Sequence, residues 1–201
     1  VSRSYRQAII AAAAYFGVTL SAEDIVEAKR QGDANNDWVL TRRMLVARGV
    51  EASLAAVTER FEAAYQGGLW REERLLVDAE WLSALADRIP LGIVTGRPAG
   101  DAQRFLDHHQ IAECFDTVVC MHDAPPKPDP APVRLALSRL GVQRAWLIGD
   151  TPDDIRAARG AQVLPLGVAA PGEEGAATEQ ALTAAGAARV IEVRALEELL
   201  P

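Results

Sequence analysis

Acidic residues that follow a short apolar run near position 150 have the types and spacing of a metal or phosphate site. The run 146–148 is typical of a buried strand, and Asp150 comes directly after Gly149 at its end. Open α/β sheets bind ligands at the carboxyl ends of their strands. Asp153 and Asp154 follow within one helical turn, and clustered carboxylate oxygens suit Mg²⁺. The segment therefore predicts a magnesium site.

The same segment also has a structural explanation. Thr151 is a favoured helix N-cap, Pro152 suits the first helical position, and acidic residues stabilise a helix N-terminus. These preferences account for residues 151–154. They leave Asp150 unexplained because it precedes the cap, and a carboxylate held at a strand end is costly unless a cation or donors satisfy it.

Two earlier loops offer groups that bind phosphate. Thr95, Gly96 and Arg97 follow the apolar run 91–94, where a hydroxyl, backbone N–H groups and a guanidinium suit phosphate oxygens. The same residue types occur in ordinary strand-to-helix turns. Lys127 lies among the four prolines of 125–130, which stiffen the loop around one lysine. This second loop predicts a fixed cation, whereas a solvated surface lysine is the ordinary alternative.

The remaining patterns divide the chain into two bodies. Helices are predicted first, at 3–16, 21–31, 36–48 and 52–66. Later, apolar runs at 91–94, 117–120, 146–148, 163–166 and 190–193 alternate with amphipathic stretches at 78–88, 100–109, 130–140 and 153–160. Apolar strands that alternate with helices are typical of a parallel sheet covered on both faces. We therefore predict a helical domain over 1–77 and an α/β domain over 78–201.

The composition excludes several classes of protein. A hydrophobic content of 49% and a charged content of 24% are those of a globular protein, and no stretch is long enough to span a membrane. The net charge of −7 argues against non-specific nucleic-acid binding. Arg3 and Arg6 precede an apolar segment as in a signal peptide, but its spacing favours an amphipathic helix. Cys114 and Cys120 have no metal or redox spacing, so we predict free thiols and a cytoplasmic location.

Taken in order, the Thr95 loop, the Lys127 loop and the segment 150–154 resemble motifs two, three and four of the haloacid dehalogenase-like superfamily. The helical segment ahead of them resembles its all-helical type of cap domain. The closest likeness is to phosphatase-like members related to phosphoglycolate phosphatase. Residues 32–38 also resemble an uncharacterised subfamily with an Asn-Asn-Asp-Trp cap motif. The resemblance covers nearly the whole chain and implies a Rossmann-like parallel sheet core with an N-terminal all-helical cap.

The resemblance also implies roles for individual residues. Thr95 and Lys127 would hold the transferring phosphoryl group, and Lys127 would offset charge on the nucleophile. Asp150 would be a Mg²⁺ ligand, and Asp154 would ligate the ion or orient its waters. In the cap, the residues expected to reach the substrate are Asn35, Asn36 and Trp38. The alternative for these three is a helix N-cap region with a core-facing tryptophan.

One motif that the resemblance implies does not occur in these residues. The superfamily's first motif is an apolar strand ending in Asp-x-Asp, which supplies the nucleophile and the general acid and is expected immediately before Val1. Asp24, Asp33 and Asp37 follow no strand-like run and do not replace it. We therefore expect a sheet without its central first strand. The chain would be a processed or incompletely represented form of a longer protein, or its gene start was placed too late, since GTG encodes Val and is also a bacterial start codon.

These observations together predict a Mg²⁺-dependent phosphatase that hydrolyses a small phosphorylated metabolite through an aspartyl-phosphate. The 201 residues alone would be inactive. Self-association through the exposed sheet edges is expected, without nucleic-acid or membrane partners. Two alternatives remain. One is a non-catalytic binding or interaction protein on the same scaffold, and the other is a dehalogenase, whose chemistry needs no metal.

Overall fold

The computed structural model describes residues 2–170, 175–192 and 195–196. The chain divides into two compact units between Arg74 and Leu75. No described helix is long and apolar enough to cross a membrane.

The first unit is built from helices and contains no described strand. Its helices are α1 (Ser2–Tyr15), α2 (Ala22–Arg30), α3 (Asp37–Val46) and α4 (Leu54–Gln66), followed by a 3-10 helix at Leu69–Glu72. Each predicted helix is found with ends shifted by at most two residues. Helix α2 begins with a capping box in which Ser21 and Asp24 bond each other's backbone N–H. The core of this unit is formed by large buried side chains, among them Ile9, Ile25, Leu40, Leu45, Phe61 and Tyr65.

The second unit alternates helices and parallel strands. In chain order its elements are α5 (Ala79–Ala86), β1 (Gly92–Val94), α6 (Ala99–His108), a 3-10 helix (Ala112–Cys114), β2 (Thr117–Val119), α7 (Ala131–Leu140), β3 (Trp146–Gly149), α8 (Pro152–Gly160), β4 (Leu164–Val168), α9 (Ala176–Ala185) and β5 (Arg189–Ile191). The α/β class with parallel strands is confirmed. Helix α9 was not predicted, because its alanine-rich sequence has few large apolar residues to reveal a helical period. Val193, in the predicted run 190–193, lies outside the described residues.

The parallel strands form two separate hydrogen-bonded groups. Among the described strands, β1 pairs only with β2, while β3 pairs with β4 and β4 with β5. Within the described part of the chain, one edge of β1 and one edge of β3 therefore have no strand partner.

The register identifies which backbone groups lie on the unpaired edge of β1. The N–H of Thr95 donates to the Val119 carbonyl on β2, at 2.9 Å. Alternate residues of a strand direct their backbone groups to opposite edges, so Gly92 and Val94 direct theirs away from β2.

The corresponding edge of β3 is identified in the same way. The Ala145 carbonyl accepts from the Leu164 N–H at 3.0 Å, which places the groups of Trp146 and Ile148 on the edge away from β4. The side chains of these two residues are 43% and 38% exposed. Strands in parallel sheets are normally buried on both faces. The prediction of a fully buried strand at 146–148 is therefore wrong for these two side chains in this structure.

Candidate active site

The ammonium group of Lys127 joins the end of β1 to the start of α8. Its Nζ donates to the Val94 carbonyl at 3.3 Å and makes a short ion pair with Asp154 Oδ1. The Lys127 side chain is only 11% exposed. This lysine is therefore held in place at the carboxyl ends of the strands and is not a solvated surface residue.

Asp154 has two structural roles at once. Besides the ion pair through Oδ1, its Oδ2 accepts from Thr151 N at 3.0 Å and from Thr151 Oγ1 at 2.7 Å, which completes a capping box at the start of α8. Burial acts to raise the pKa of the Asp154 carboxyl, but the charge of Lys127 and the hydrogen bonds from Lys127 and Thr151 outweigh it and lower that pKa below its usual range. Asp154 therefore stays ionised and anchors Lys127.

Close packing around Gly149 explains how Asp154 reaches this position. A Cβ atom built on Gly149 would lie 2.7 Å from Asp154 Cγ, well inside van der Waals contact. Only glycine lets the end of β3 approach the first turn of α8 this closely. Local sequence patterns do not reveal this requirement by themselves, and its signal in the sequence is the Gly-Asp pair directly after an apolar run.

The other two acids of the segment lie in different surroundings. Asp150 follows β3 directly and is exposed, whereas Asp153 is 1% exposed and pairs with Arg156 Nη1 at 3.1 Å. Among the described residues, no group of three His, Cys, Asp or Glu side chains is arranged to hold a metal ion. Mg²⁺ keeps several waters and needs only one or two protein carboxylates. Asp150 fits such a ligand, while both Asp154 oxygens are already engaged, which suits orientation of the site more than direct ligation.

The loop after β1 is fastened to the loop after β2. Thr95 Oγ1 accepts from the Arg97 N–H at 3.2 Å, and the Arg97 carbonyl accepts from the Met121 N–H at 3.1 Å. The Arg97 residue is 9% exposed, with its guanidinium carbon 5.7 Å from the centre of the Phe105 ring. Thr95 and Gly96 therefore follow β1 on a fixed loop, and the guanidinium of Arg97 is packed against an aromatic side chain.

The three candidate residues of the helical unit lie at the start of α3. Asn36 is the N-cap, with Oδ1 accepting from the N–H groups of Trp38 and Val39, each at 3.1 Å. Trp38 packs on the core of this unit, and its Nε1 donates to Glu62 Oε1 at 3.2 Å. Asn35 is half-buried directly before the cap. The contacts of Asn36 and Trp38 are those of a helix N-cap and a core-facing tryptophan, which is the structural alternative. A substrate role for Asn35, Asn36 and Trp38 stays a prediction.

Sequence comparisons match parts of this chain to a family of hydrolases and to several named enzymes. Residues 78–168 match the family model described as haloacid dehalogenase-like hydrolase. An imidazoleglycerol-phosphate dehydratase of Phytophthora nicotianae is 46% identical over 184 residues, which are 85% of this chain and 41% of that protein. A phosphoglycolate phosphatase of Pectobacterium atrosepticum is 31% identical over 67% of this chain and 61% of its own length.

Pyrophosphatase PpaX of Bacillus velezensis is 45% identical over 39% of this chain and 38% of its own length. The chain thus spans about two fifths of the length of the first curated relatives that it matches.

Solved structures share the fold. A phosphoglycolate phosphatase predicted for Haemophilus somnus superimposes with a TM-score of 0.80 at 18% identity, over 100% of this chain and 92% of that chain. A hydrolase of Pseudomonas syringae gives a TM-score of 0.76 at 20% identity, over 100% and 93% of the two chains. At this identity the superpositions show that the architecture is shared, with no information on substrate.

Proposed function

We propose that this chain, which is related to the haloacid dehalogenase-like superfamily and its phosphatases, hydrolyses a small phosphate ester. The observation that carries the proposal is the position of Lys127. Its ammonium is held between the end of β1, which Thr95 follows, and the start of α8, which Asp150 precedes. A cation, a hydroxyl and an exposed carboxylate therefore follow the carboxyl ends of parallel strands, where α/β sheets bind their ligands.

The proposed roles follow from the chemistry of phosphoryl transfer, which depends on positioning and on positive charge around the phosphoryl oxygens. Lys127 offsets the charge that gathers on these oxygens. The Thr95 hydroxyl donates a hydrogen bond to one phosphoryl oxygen, and the Gly96 N–H donates a hydrogen bond to another. Asp154 holds Lys127 in place through a carboxylate that remains ionised. Arg97, whose guanidinium packs against Phe105, contacts the substrate phosphate.

A bound Mg²⁺ would complete the site. Asp150 would hold it, and Asp154 would orient its surroundings, as the fit of the two carboxylates supports. When bound, Mg²⁺ supplies positive charge that polarises a phosphoryl oxygen. Magnesium dependence is part of the proposal, as is the cytoplasmic location predicted from the sequence.

The attacking group in this proposal is an aspartate on a strand outside residues 1–201. That strand would lie between β1 and β3 and pair with the backbone groups of Gly92 and Val94 on one side and of Trp146 and Ile148 on the other. The exposed side chains of Trp146 and Ile148 support it, because an inserted strand would help to cover them. The aspartate would attack phosphorus in line to form an aspartyl-phosphate, while the ester P–O bond breaks and the alcohol leaves with a proton from the second aspartate of the motif. Water would then hydrolyse the aspartyl-phosphate, which releases inorganic phosphate and restores the aspartate. Residues 1–201 alone would then be inactive.

The test compares residues 1–201 with a form extended by the upstream codons of the gene. If these encode an apolar run ending in Asp-x-Asp, the extended form should hydrolyse a chromogenic phosphate ester in the presence of Mg²⁺. Replacement of the first aspartate of that run by asparagine is the matched control and should abolish the activity. An extended form that binds phosphate esters without turnover would favour the binding protein. Halide release from a 2-haloacid would favour the dehalogenase.

The substrate is best sought with a panel drawn from the relatives. Two members are phosphoglycolate, a phosphate ester, and pyrophosphate, a phosphoanhydride, because relatives of this chain are named phosphoglycolate phosphatase and pyrophosphatase. A phosphate ester with an imidazole ring is a third, since a relative at 46% identity is named an imidazoleglycerol-phosphate dehydratase. A preference is a ratio of kcat/KM values between two members of the panel. Equal values for all three would show that the enzyme has no preference among these compounds.

A further inference from the structure

The chain that follows β2 makes a tight turn, which the side chain of Asp123 closes. Its carboxylate Oδ2 accepts from the Cys120 N–H at 2.7 Å, and the Asp123 N–H donates to the Cys120 carbonyl at 3.1 Å. A hydrogen bond to an ionised acceptor is about twice as strong as a neutral one. Residues 120–123 are therefore held by two hydrogen bonds between the ends of the turn.

The alternation of backbone groups along β2 explains why a side chain is needed here. Val119 faces β1, because its carbonyl accepts from the loop after β1. The backbone groups of Val118 and Cys120 therefore point to the opposite edge of β2, where no described strand supplies a partner. Arg139 on α7 donates to the Val118 carbonyl at 3.1 Å, and Asp123 accepts from Cys120. These two charged side chains, 3.7 Å apart, satisfy this edge in place of a strand.

The same turn presents the Met121 N–H to the loop after β1. A regular continuation of the parallel ladder would pair this N–H with the Thr95 carbonyl. It donates instead to the Arg97 carbonyl at 3.1 Å, and the Arg97 N–H in turn donates to Thr95 Oγ1 at 3.2 Å. Two hydrogen bonds therefore join the turn to the Thr95 hydroxyl.

The bond from Arg97 affects how the Thr95 hydroxyl can be used. A threonine hydroxyl has one proton to donate and two lone pairs that accept. Because the Arg97 N–H bonds one lone pair, the position of Oγ1 is restrained and the hydroxyl proton is donated in another direction. A donor that is held in place in advance stabilises developing negative charge without a cost of reorganisation.

We propose that Asp123 is a positioning residue for the Thr95 hydroxyl, because it closes the turn that holds the Arg97 backbone and so keeps Oγ1 oriented toward a phosphoryl oxygen. Asp123 acts through Thr95 and does not touch the substrate. The inference rests on the proposed phosphatase function, in which Thr95 contacts the phosphoryl group. Since Asp123 is exposed, its replacement removes no side chain from the buried core.

The chain contains a matched control at the other end of the same strand. Asp116 immediately precedes β2, is also exposed, and accepts through Oδ2 from the Leu91 N–H at 3.1 Å. Its contact lies at the amino ends of β1 and β2, whereas Thr95 follows the carboxyl end of β1. Asp116→Ala and Asp123→Ala thus remove the same charge and the same kind of acceptor from opposite ends of β2.

The experiment measures the effect of Asp123→Ala on kcat/KM with and without the Thr95 hydroxyl. The extended form carries Asp123→Ala, Thr95→Val or both, and is assayed with a chromogenic phosphate ester. Asp123→Ala should lower kcat/KM about tenfold and Thr95→Val about a hundredfold, in the range for loss of one donor to a developing charge. In the Thr95→Val background, Asp123→Ala should cost less than about twofold, because the hydroxyl that it positions is already gone.

Further variants separate positioning from stability. Asp123→Asn keeps an oxygen acceptor and should retain kcat/KM within about threefold, and Asp116→Ala should retain it within about twofold. Amide hydrogen exchange at Met121 should be about tenfold faster in Asp123→Ala and unchanged in Asp116→Ala. Arg139→Met removes the other charged side chain of this edge, should give a smaller loss with the same dependence on Thr95, and serves if Asp123→Ala does not fold.

Three results would overturn the inference. Equal losses from Asp123→Ala with and without the Thr95 hydroxyl would mean that Asp123 acts independently of Thr95. Unchanged exchange at Met121 would mean that Asp123 does not hold the turn. Equal losses of kcat/KM in Asp116→Ala and Asp123→Ala would indicate a general loss of stability. Failure of the proposed function is distinguishable, because the unsubstituted extended form would then hydrolyse no ester while exchange at Met121 still responds to Asp123→Ala.

Discussion

At the scale of single residues, the pair Lys127–Asp154 links the stability of the second unit to its proposed chemistry. The ion pair is largely buried, and Thr151 completes the hydrogen bonding of the carboxylate. Removing one partner of such a pair leaves a charge without compensation, which costs more than the net gain from forming the pair. Separating Lys127, the proposed phosphate ligand, from Asp154 would therefore lower the free energy of unfolding.

The lowered pKa of Asp154 leads to a prediction for stability against pH. A carboxyl whose pKa is lower in the folded protein stabilises it above the unfolded-state pKa, and this contribution disappears as the pH falls through the folded-state value. Asp154→Asn should therefore reduce the free energy of unfolding by about 3 kcal/mol at pH 7. The difference from the unsubstituted chain should shrink below about pH 4.

Urea denaturation at a series of pH values measures this difference. The double variant Lys127→Met/Asp154→Asn is the control and should recover part of the loss at neutral pH, because no uncompensated charge remains. A loss that is independent of pH down to pH 2 would contradict the prediction.

Asp150 leads to a second prediction at this scale. Because the residue is exposed at the end of β3, Asp150→Asn should leave the melting temperature of the catalytically competent form within about 2 °C. Its Mg²⁺-dependent turnover should fall by about a hundredfold or more, as expected when a metal ligand is lost. Thermal melting and a phosphate-release assay test both parts. Activity within a few-fold of the unsubstituted enzyme would remove Asp150 from the metal site.

At the scale of elements, the contact between β3 and α8 determines where the acidic segment lies. Gly149→Ala would place a methyl group against the side chain of Asp154, which the capping box and Lys127 hold in place. We expect a loss of about 2–3 kcal/mol, in the range of overpacking in a tight interior. Gly100→Ala is the matched control, since a Cβ there meets nothing within 4 Å and lies in α6, where alanine is favoured over glycine. Equal effects in denaturant titrations would show that the close approach is not needed.

At the scale of the whole molecule, the unpaired edges of β1 and β3 lead to a prediction for assembly. Open strand edges with exposed apolar side chains favour pairing with other chains. Residues 1–201 should therefore associate at micromolar concentration or melt at a lower temperature than the extended form. Ile148→Lys, which places a charge on this edge, should suppress the association, whereas Leu54→Lys, at an equally exposed apolar position of the helical unit, should not.

Sedimentation velocity and thermal melting on the four proteins measure these effects. A monomeric 1–201 chain that is as stable as the extended form would contradict the prediction. It would also weaken the case for a strand between β1 and β3.

The order of elements could be read from the sequence because it depends on local patterns. The apolar period identifies α1 to α4, and short apolar runs identify each strand, since a helix or strand must bury the face that its own residues present. The acidic segment after β3 and the lysine among prolines were identified for the same reason, as their spacing is local. Helix α9 was missed because its alanines carry no such period.

Tertiary structure alone decided which of these groups meet. Lys127 and Asp154 are 27 residues apart, and only the packing of the loop before α7 against α8 brings them together. The same holds for Arg43, whose guanidinium donates to the carbonyls of Asp33 and Ala28, ten and fifteen residues earlier in the chain. It also holds for the packing of Arg97 against Phe105. The separation of β1 from β3 likewise appears only in the strand register. Local patterns specify which face of an element is buried, whereas partners distant in the chain are chosen by packing and charge compensation across the whole unit.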